Sequence, residues 1–416
     1  RMSNEASGHY VAVIVGATAG AEVASRLADR GAQVFVFEQG KRPYGKIEDG
    51  LPRWHVALRN KEYKTIDGKL DRTGVTFVPN TTIGQDIGFK ELVNDWGFSA
   101  VVLANGAWRD RPVPIDGADE YVGRGLVYQN PFVIAFNHDE RGDMPEASYE
   151  LHDGAIVIGG GLASIDVAKI HTLQRTVEEL AKRGVETDVE ELEIKGIPKI
   201  LEKHGLSWEE LGIEPPTIYY RRRVEDMPLM SAPEGADEAR IKKVEAGRKR
   251  MLEKSTGKYL FRVEPLSAPD ELIVEDGKLV GIVFRRTKIE NGRVVKLDET
   301  YEVRGPVVIS SIGSIPEAIP GIETDVEELE IKGIPKILEK HGLTWDELGI
   351  TPPTIYYRRR VEDMPLMSAP EGADEARIKK VEAGRKRMLD KSTGKYLFKV
   401  EPLSAPDDLI VEDGRL

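Results

Sequence analysis

Apolar and polar positions along the chain switch repeatedly between the period of a strand and that of a helix, and the switches mark the elements. Tyr10 to Val15 is a continuous apolar run that predicts a buried strand. GATAGAEVASRLADRG then takes up helical spacing, Gly31 closes the helix, and AQVFVFE returns to a strand ending on Glu38. After a helical stretch, VTFVPN and SAVVLANGAW add strands that continue a parallel sheet. The pattern then repeats: Ile156, Val157 and Ile158 run into Gly159, Gly160 and Gly161, and helical spacing resumes through Ala163, Val167 and Ile170. A charged helical segment from Gln174 to Leu211 delays the next strand, PTIYYRRRVEDMP. YLFRVEP, ELIVEDGKLVGIVFRRTKI and VVKLDETYEV read as strands joined at Asp-Gly and Asn-Gly hairpins, and PVVISSIG as a further buried strand.

Each strand-turn-helix changeover predicts a nucleotide cradle. In a G-x-G-x-x-G/A turn the first Gly permits the turn, the second lets backbone approach a pyrophosphate, and the third position must be small for helix packing. Gly159, Gly161 and Ser164 occupy those places in the central turn. The helix beginning there aims unpaired N–H groups and its positive end at the phosphates. In the amino-terminal turn Gly16 holds the first place and Ala21 the third, while Thr18 stands where the second Gly is expected. Glu38 lies 22 residues beyond Gly16, the spacing at which an acidic side chain accepts ribose hydroxyls. The alternative for either turn is an ordinary βα connection that only packs. Arg221, Arg222 and Arg223 follow the strand after the central turn, where guanidinium forks suit a 2′-phosphate; Arg221 and Arg222 are the chosen pair. The alternative there is a solvated strand end.

Composition narrows the chemistry. The absence of cysteine removes disulfides, thiolate catalysis and cysteine-ligated iron–sulfur clusters, so redox work must ride on an organic cofactor. The seven histidines show no metal spacing, and the net charge of -12 argues against nucleic-acid binding. No apolar run is long enough for a membrane span, which makes a cytoplasmic setting the expectation.

The order of these features resembles a known family. A glycine turn, an acidic end to the second strand, the P-Y-G…G-L-P loop between Lys41 and His55, A-N-G-A at a strand end and a second glycine turn are similar to those of two-dinucleotide flavoproteins. Among these they resemble adrenodoxin reductase-type ferredoxin–NADP reductases and the glutamate synthase small subunit, over about Val11 to Ile322. The resemblance implies an α/β fold of two Rossmann-like FAD/NAD(P)-binding domains, the second inserted in the first. It implies FAD lined by Gly16, Glu38, Gly45 and Leu51, with Asn105, Gly106 and Trp108 where the chain crosses near the flavin. His55 resembles the family's histidine beside that loop, though P-R-W-H replaces P-D-H. NADPH would lie on Gly159 to Ser164, and electrons would leave for an acceptor protein, ferredoxin-like or a partner subunit. No protein acid or base is strictly required. The implied layout is residues 1–112 for the flavin domain, 113–152 for a crossover, 153–305 for the NAD(P) domain with an insertion at 174–214, and 306–322 for the return.

One feature departs from the family. Glu186 to Leu279 recurs as Glu323 to Leu416, a displacement of 137 residues, with few changes such as Ser207 to Thr344 and Arg262 to Lys399. The copy at 323–416, an α+β appendage, has no glycine turn of its own, so Arg358, Arg359 and Arg360 lack a cradle. Its last strand also lacks the partner that GIVFRRTKI gives the first copy. It stands where the family places a late G-D motif over the flavin, and no such motif is present. The alternative to a reductase is therefore a non-catalytic, decayed or synthetic flavoprotein-like chain that at most binds a nucleotide weakly. If the arginines serve NADPH, Arg222→Glu is expected to raise the KM for NADPH far more than that for NADH; equal effects on both would refute the assignment.

Overall fold

In a computed structural model, residues 9–138, 151–233, 236–321, 334–340, 344, 354–357, 375–397 and 399–402 are described. Nearly all of the chain up to Gly321 forms one compact unit, and most of the remainder a second.

The first unit is built on two parallel sheets. β1 (Tyr10–Ile14), β2 (Gln33–Phe37), β3 (Val75–Val78) and β4 (Ala100–Leu103) lie in the order β3-β2-β1-β4. α1 (Thr18–Ala28) makes the crossover from β1 to β2, α2 (Lys46–Asp49) and α3 (Val56–Leu70) lie between β2 and β3, and α4 (Phe89–Asn94) precedes β4. The apolar run of β1 is central because both its faces are covered, by Val34, Val36 and Ala24 on one side and Phe37, Ile83 and Leu92 on the other.

β5 (Arg109–Asp110) leads out of this sheet, and β6 (Leu126–Tyr128) and α5 (Gln129–His138) follow. β7 (Ile156–Gly159) opens the central unit, α6 (Leu162–Ala181) packs on it, and α7 (Val189–Lys195), α8 (Ile197–Lys203) and α9 (Trp208–Leu211) precede β8 (Thr217–Tyr220). α10 (Glu238–Tyr259) joins β8 to β9 (Arg262–Pro265). β10 (Ser267–Glu275), β11 (Lys278–Glu290) and β12 (Arg293–Arg304) form an antiparallel sheet, and β13 (Val308–Ser311) and β14 (Ser314–Ile315) follow. The predicted hairpins are present: Asp276 and Gly277, and Asn291 and Gly292, all have positive φ, the mirror-image turn those residue pairs tolerate.

Three expected boundaries shift. Val308–Ser311 was expected to begin the return to the first domain, but β13 sits inside the second sheet, whose order is β6-β13-β7-β8-β9. β6 likewise makes part of the expected crossover, 113–152, an edge of that sheet. The insertion expected at 174–214 is no separate piece. α6 runs on to Ala181 because Leu173, Thr176 and Leu180 are fully buried, and Leu192, Ile197 and Leu201 of α7 and α8 join the same core.

In the second unit α11 (Ile334–Lys340), β15 (Thr354–Tyr357), α12 (Glu375–Tyr396) and β16 (Lys399–Pro402) repeat the first copy. Thr354 pairs in parallel with Lys399 as Thr217 does with Arg262. Arg358, Arg359, Arg360 and the final hairpin of the copy lie outside the described residues.

The true crossing between the two parallel sheets is a pair of two-residue strands, β5 and β14, which run antiparallel with Ile315 opposite Arg109. A polar network holds them. The Asn130 backbone N–H donates to Asp110 at 3.2 Å, Asn130 Nδ2 donates to the Trp108 carbonyl at 2.5 Å, and Lys46 Nζ donates to Ser314 Oγ at 3.1 Å. Burial pushes the Asp110 carboxyl from its ordinary 3.8 up to about 6, against the opposing pull of the Asn130 N–H and Lys46. The folded chain therefore favours the protonated acid, and that contribution to stability is complete below about pH 4 and is lost as pH rises through about 6. Asp110→Asn keeps an acceptor for Asn130 and cannot ionise. Relative to the variant, the natural chain is expected to lose melting temperature between those pH values; parallel melting curves would show that the carboxyl is not strained.

Candidate functional site: two glycine cradles

At the amino-terminal cradle, Val15 adopts φ 75° and turns the chain at the carboxyl end of β1. The Glu38 carboxylate, 4% exposed, accepts the Gly16 N–H at 3.1 Å through Oε2 and the Gly40 N–H at 3.0 Å through Oε1. Burial raises its pKa, and those two N–H groups oppose the rise. The spacing from Gly16 to Glu38 thus brings the pair together.

The bare position in this turn is Gly20, not Ala21. A β-carbon on Gly20 would stand 1.9 Å from the Val15 carbonyl oxygen, whereas Ala21 is fully buried with its methyl accommodated. Gly20 stands four residues after Gly16 rather than five, so counting from Gly16 passes over it. Thr18 is exposed in the first turn of α1.

Gly45 has φ 46°, and a β-carbon there would lie 3.0 Å from Ala17 Cβ, so the Pro-Tyr-Gly loop closes directly against this turn. Leu51 contributes its carbonyl to Asn137 Nδ2 at 3.0 Å. Glu38, Lys41, Arg42, Gly45, Asp49 and Trp108 line a cleft of about 620 Å³. Arg42 is engaged by Glu48. At the carboxyl ends of β1 and β4, where the sheet's connectivity reverses, Ile14, Asn105, Trp108 and Ile319 border a cavity of only about 80 Å³. Asn105 Nδ2 donates to the Glu317 carbonyl at 3.4 Å there, and Gly106, with φ 60°, has open space where a side chain would be.

The central cradle is tighter still. A β-carbon on Gly159 would stand 2.3 Å from the Ser311 carbonyl oxygen, and one on Gly160 would enter the Tyr220 ring at 2.2 Å. One on Gly161 would meet nothing within 4 Å, so this residue faces open space. Ser164, fully buried, donates to the Ser311 carbonyl at 3.1 Å and locks the third position onto β13.

The capping pattern sets the two cradle helices, together with α3 and α8, apart from α7, α9 and α10. Asp188, Ser207 and Asp237 cap α7, α9 and α10 with their side chains, and each of those helices has an acid in its first turn. α1 and α6 have neither, so their N-terminal N–H groups and positive ends are left for an anion.

The arginines at the end of β8 are not equivalent. Arg223 pairs with Asp226 at 2.9 Å. Arg222 donates to the Gly292 carbonyl at 3.2 Å and lies 3.8 Å from Asp226. Arg221 is exposed and, among the described residues, has no ion-pair partner.

His55, half-buried at the start of α3, joins a group that sequence reading missed. Lys169 Nζ lies 3.1 Å from Glu193 and 3.8 Å from Asp166, over the Trp54 and Tyr259 rings at 4.6 Å each. Burial, and then the Lys169 charge, lowers the His55 pKa and keeps the imidazole neutral at neutral pH. Burial also pushes Asp166 up to about 6. Asp166 and Lys169, one helical turn apart in α6, were the available signal. Among the described residues there is no metal-binding cluster, and no helix is long and apolar enough to cross a membrane.

No known family profile matches the chain. It is 28% identical over 170 residues to a probable NADPH:adrenodoxin oxidoreductase of Schizosaccharomyces pombe, covering 40% of this chain and 35% of that one. It is 34% identical over 169 residues to the small chain of NADPH glutamate synthase of Bacillus subtilis, covering 40% and 33%. These matches span about a third of each relative's length. The fold matches that of Mycobacterium tuberculosis FprA in complex with NADPH, with a TM-score of 0.56 and 19% identity over 93% of this chain and 85% of that one. Sequence and fold agree: the chain resembles the two-dinucleotide flavoproteins of the adrenodoxin reductase and glutamate synthase small-subunit type.

Proposed function

We propose that the chain is an FAD-dependent oxidoreductase that takes electrons from NADPH and passes them to a protein acceptor, ferredoxin-like or a partner subunit. The observation that carries this reading is the pair of glycine turns whose helices lack side-chain caps, the second with Arg221 beside it, which has no ion-pair partner among the described residues.

The residues present fit both groups. The first cradle offers an uncapped helix end, a carboxylate on glycine N–H groups, no room for a side chain at Gly20 and a left-handed Gly45 packed close to Ala17. Glu38 would accept ribose hydroxyls, and Trp108 and Gly45 would border the cofactor. Thr18 is exposed and does not seal the turn. At the second cradle Gly161 gives a pyrophosphate backbone access, while Arg221 and Arg222 would hold a 2′-phosphate. Bound at the first cradle, flavin would supply the redox chemistry, taking an electron pair from nicotinamide and releasing it onward. The chain itself binds, orients and excludes water, and the neutral His55 adds no charge beside Trp54.

A second reading, a chain that folds but transfers nothing, is favoured by one observation. Glu317 to Pro320 lies over the carboxyl ends of β1 and β4 and leaves the cavity there at about 80 Å³. Flavin absorbance separates the two: a yellow protein, or one that FAD reconstitutes, supports the reductase, and a colourless one that FAD cannot reconstitute sinks it.

The second cradle has its own test. Gly161→Ala fills open space, so it is expected to leave the melting temperature unchanged and weaken NADPH binding about tenfold, the size of one lost phosphate contact. Gly159→Ala, forced against the Ser311 carbonyl, is expected to destabilise the fold instead. Unchanged NADPH affinity in a stable Gly161→Ala protein would exclude the cradle.

A further inference from the structure

The first cradle meets an obstacle supplied by the chain itself. Residues 317–320 run past the carboxyl ends of β1 and β4, where the strand order reverses and where ligands bind sheets of this kind. The cavity they border, about 80 Å³, falls far below the ~300 Å³ at which ligand pockets begin. Gln39 and Trp108 line both this cavity and the neighbouring cleft of about 620 Å³, so the two spaces share a wall. With residues 317–320 lifted, they would join into one trough from Glu38 to Asn105.

Little holds this segment in place. Ile319 is half-buried against the cluster that contains Ile14, Phe37 and Ile83, and Pro320 lies on Gly84, where a β-carbon would stand 2.6 Å from its ring. Glu317, Ala318 and Pro320 are exposed. Asn105 Nδ2 reaches the Glu317 carbonyl at 3.4 Å, long for a hydrogen bond, and no backbone–backbone hydrogen bond ties residues 317–320 to the other described residues. The ends are better fixed: Ile315 pairs with Arg109, and Gly321, at φ 94°, turns the chain beside Phe89. A segment pinned at its ends, with one half-buried anchor and exposed backbone between them, opens locally at small cost.

We propose that residues 317–320 are a displaceable strap: they compete with an FAD-class dinucleotide for the carboxyl ends of β1 and β4, and the cradle opens when Ile319 leaves its place. The inference rests on the first cradle of the proposed function and adds that the chain itself holds this cradle shut. It reconciles two observations that otherwise conflict. The turn is built for a nucleotide, with an uncapped α1, a bare Gly20 and a carboxylate at Glu38, yet the space beside it is too small for one. A permanent plug would be buried and hydrogen-bonded into the sheet; this segment is mostly exposed and tied by one long contact.

The test uses two variants of the full chain. Because the chain has no cysteine, Ile319→Cys carries its sole thiol, and reaction of that thiol with a maleimide is expected to quicken about tenfold when FAD is added. Ile319→Ser gives up the apolar anchor and is expected to bind FAD about tenfold more tightly than the natural chain, read from flavin fluorescence. Its melting temperature is expected to stay in place, since the side chain is only half-buried. A thiol whose rate FAD leaves unchanged or slows, or an Ile319→Ser protein with no gain in affinity, overturns the strap. FAD bound equally by the natural chain and Ile319→Ser refutes the strap alone. FAD bound by Ile319→Ser and refused by the natural chain upholds the strap and refutes the reductase. FAD refused by both refutes the two together.

Discussion

Where β7 meets β13, the backbone at Gly159 comes so near the Ser311 carbonyl that no side chain could stand between them. Ser164 fastens the same contact from the first turn of α6, giving its hydroxyl to Ser311. Two strands and a helix are thereby held at one point, and the direction of α6 follows from it. Because α6 starts above the carboxyl edge of the sheet without a cap, its amides face outward where a ligand can reach them. On the other side of β7, β8 and the arginines at its end are brought in by a second close approach, that of Gly160 to the Tyr220 ring.

The amino-terminal cradle reaches a similar end by different means. Its turn is held by a carboxylate rather than a hydroxyl: Glu38 spans from the end of β2 to the N–H groups of Gly16 and Gly40. A group that would grip ribose also braces the empty turn, so binding there must exchange one set of hydrogen bonds for another. The central cradle needs no such exchange, since Gly161 faces open space.

Much of this was legible in the sequence. Apolar runs ending in glycine gave the strands and turns, and Asp-Gly and Asn-Gly gave the hairpins, whereas the distance from Gly16 to Glu38 pointed to ribose and did not show the hydrogen bond that joins the two residues. What escaped was set by tertiary packing. PVVISSIG reads as a buried strand in either sheet, and only its fit beside β7 decides between them. Gly20 escaped because it stands four residues after Gly16 rather than five, and the Asp110, Asn130 and Lys46 network because its members are far apart in sequence. The three arginines look alike as letters, yet Asp226 and the Gly292 carbonyl occupy two of them and leave Arg221.

The crossing by two short strands has a mechanical consequence. A single linker lets one half swivel about a bond, whereas β5 and β14 side by side resist twisting and leave bending across their common line as the softer motion. Any rearrangement between the halves would then open and shut like a door on paired hinges, keeping the two cradles aligned as their separation changes.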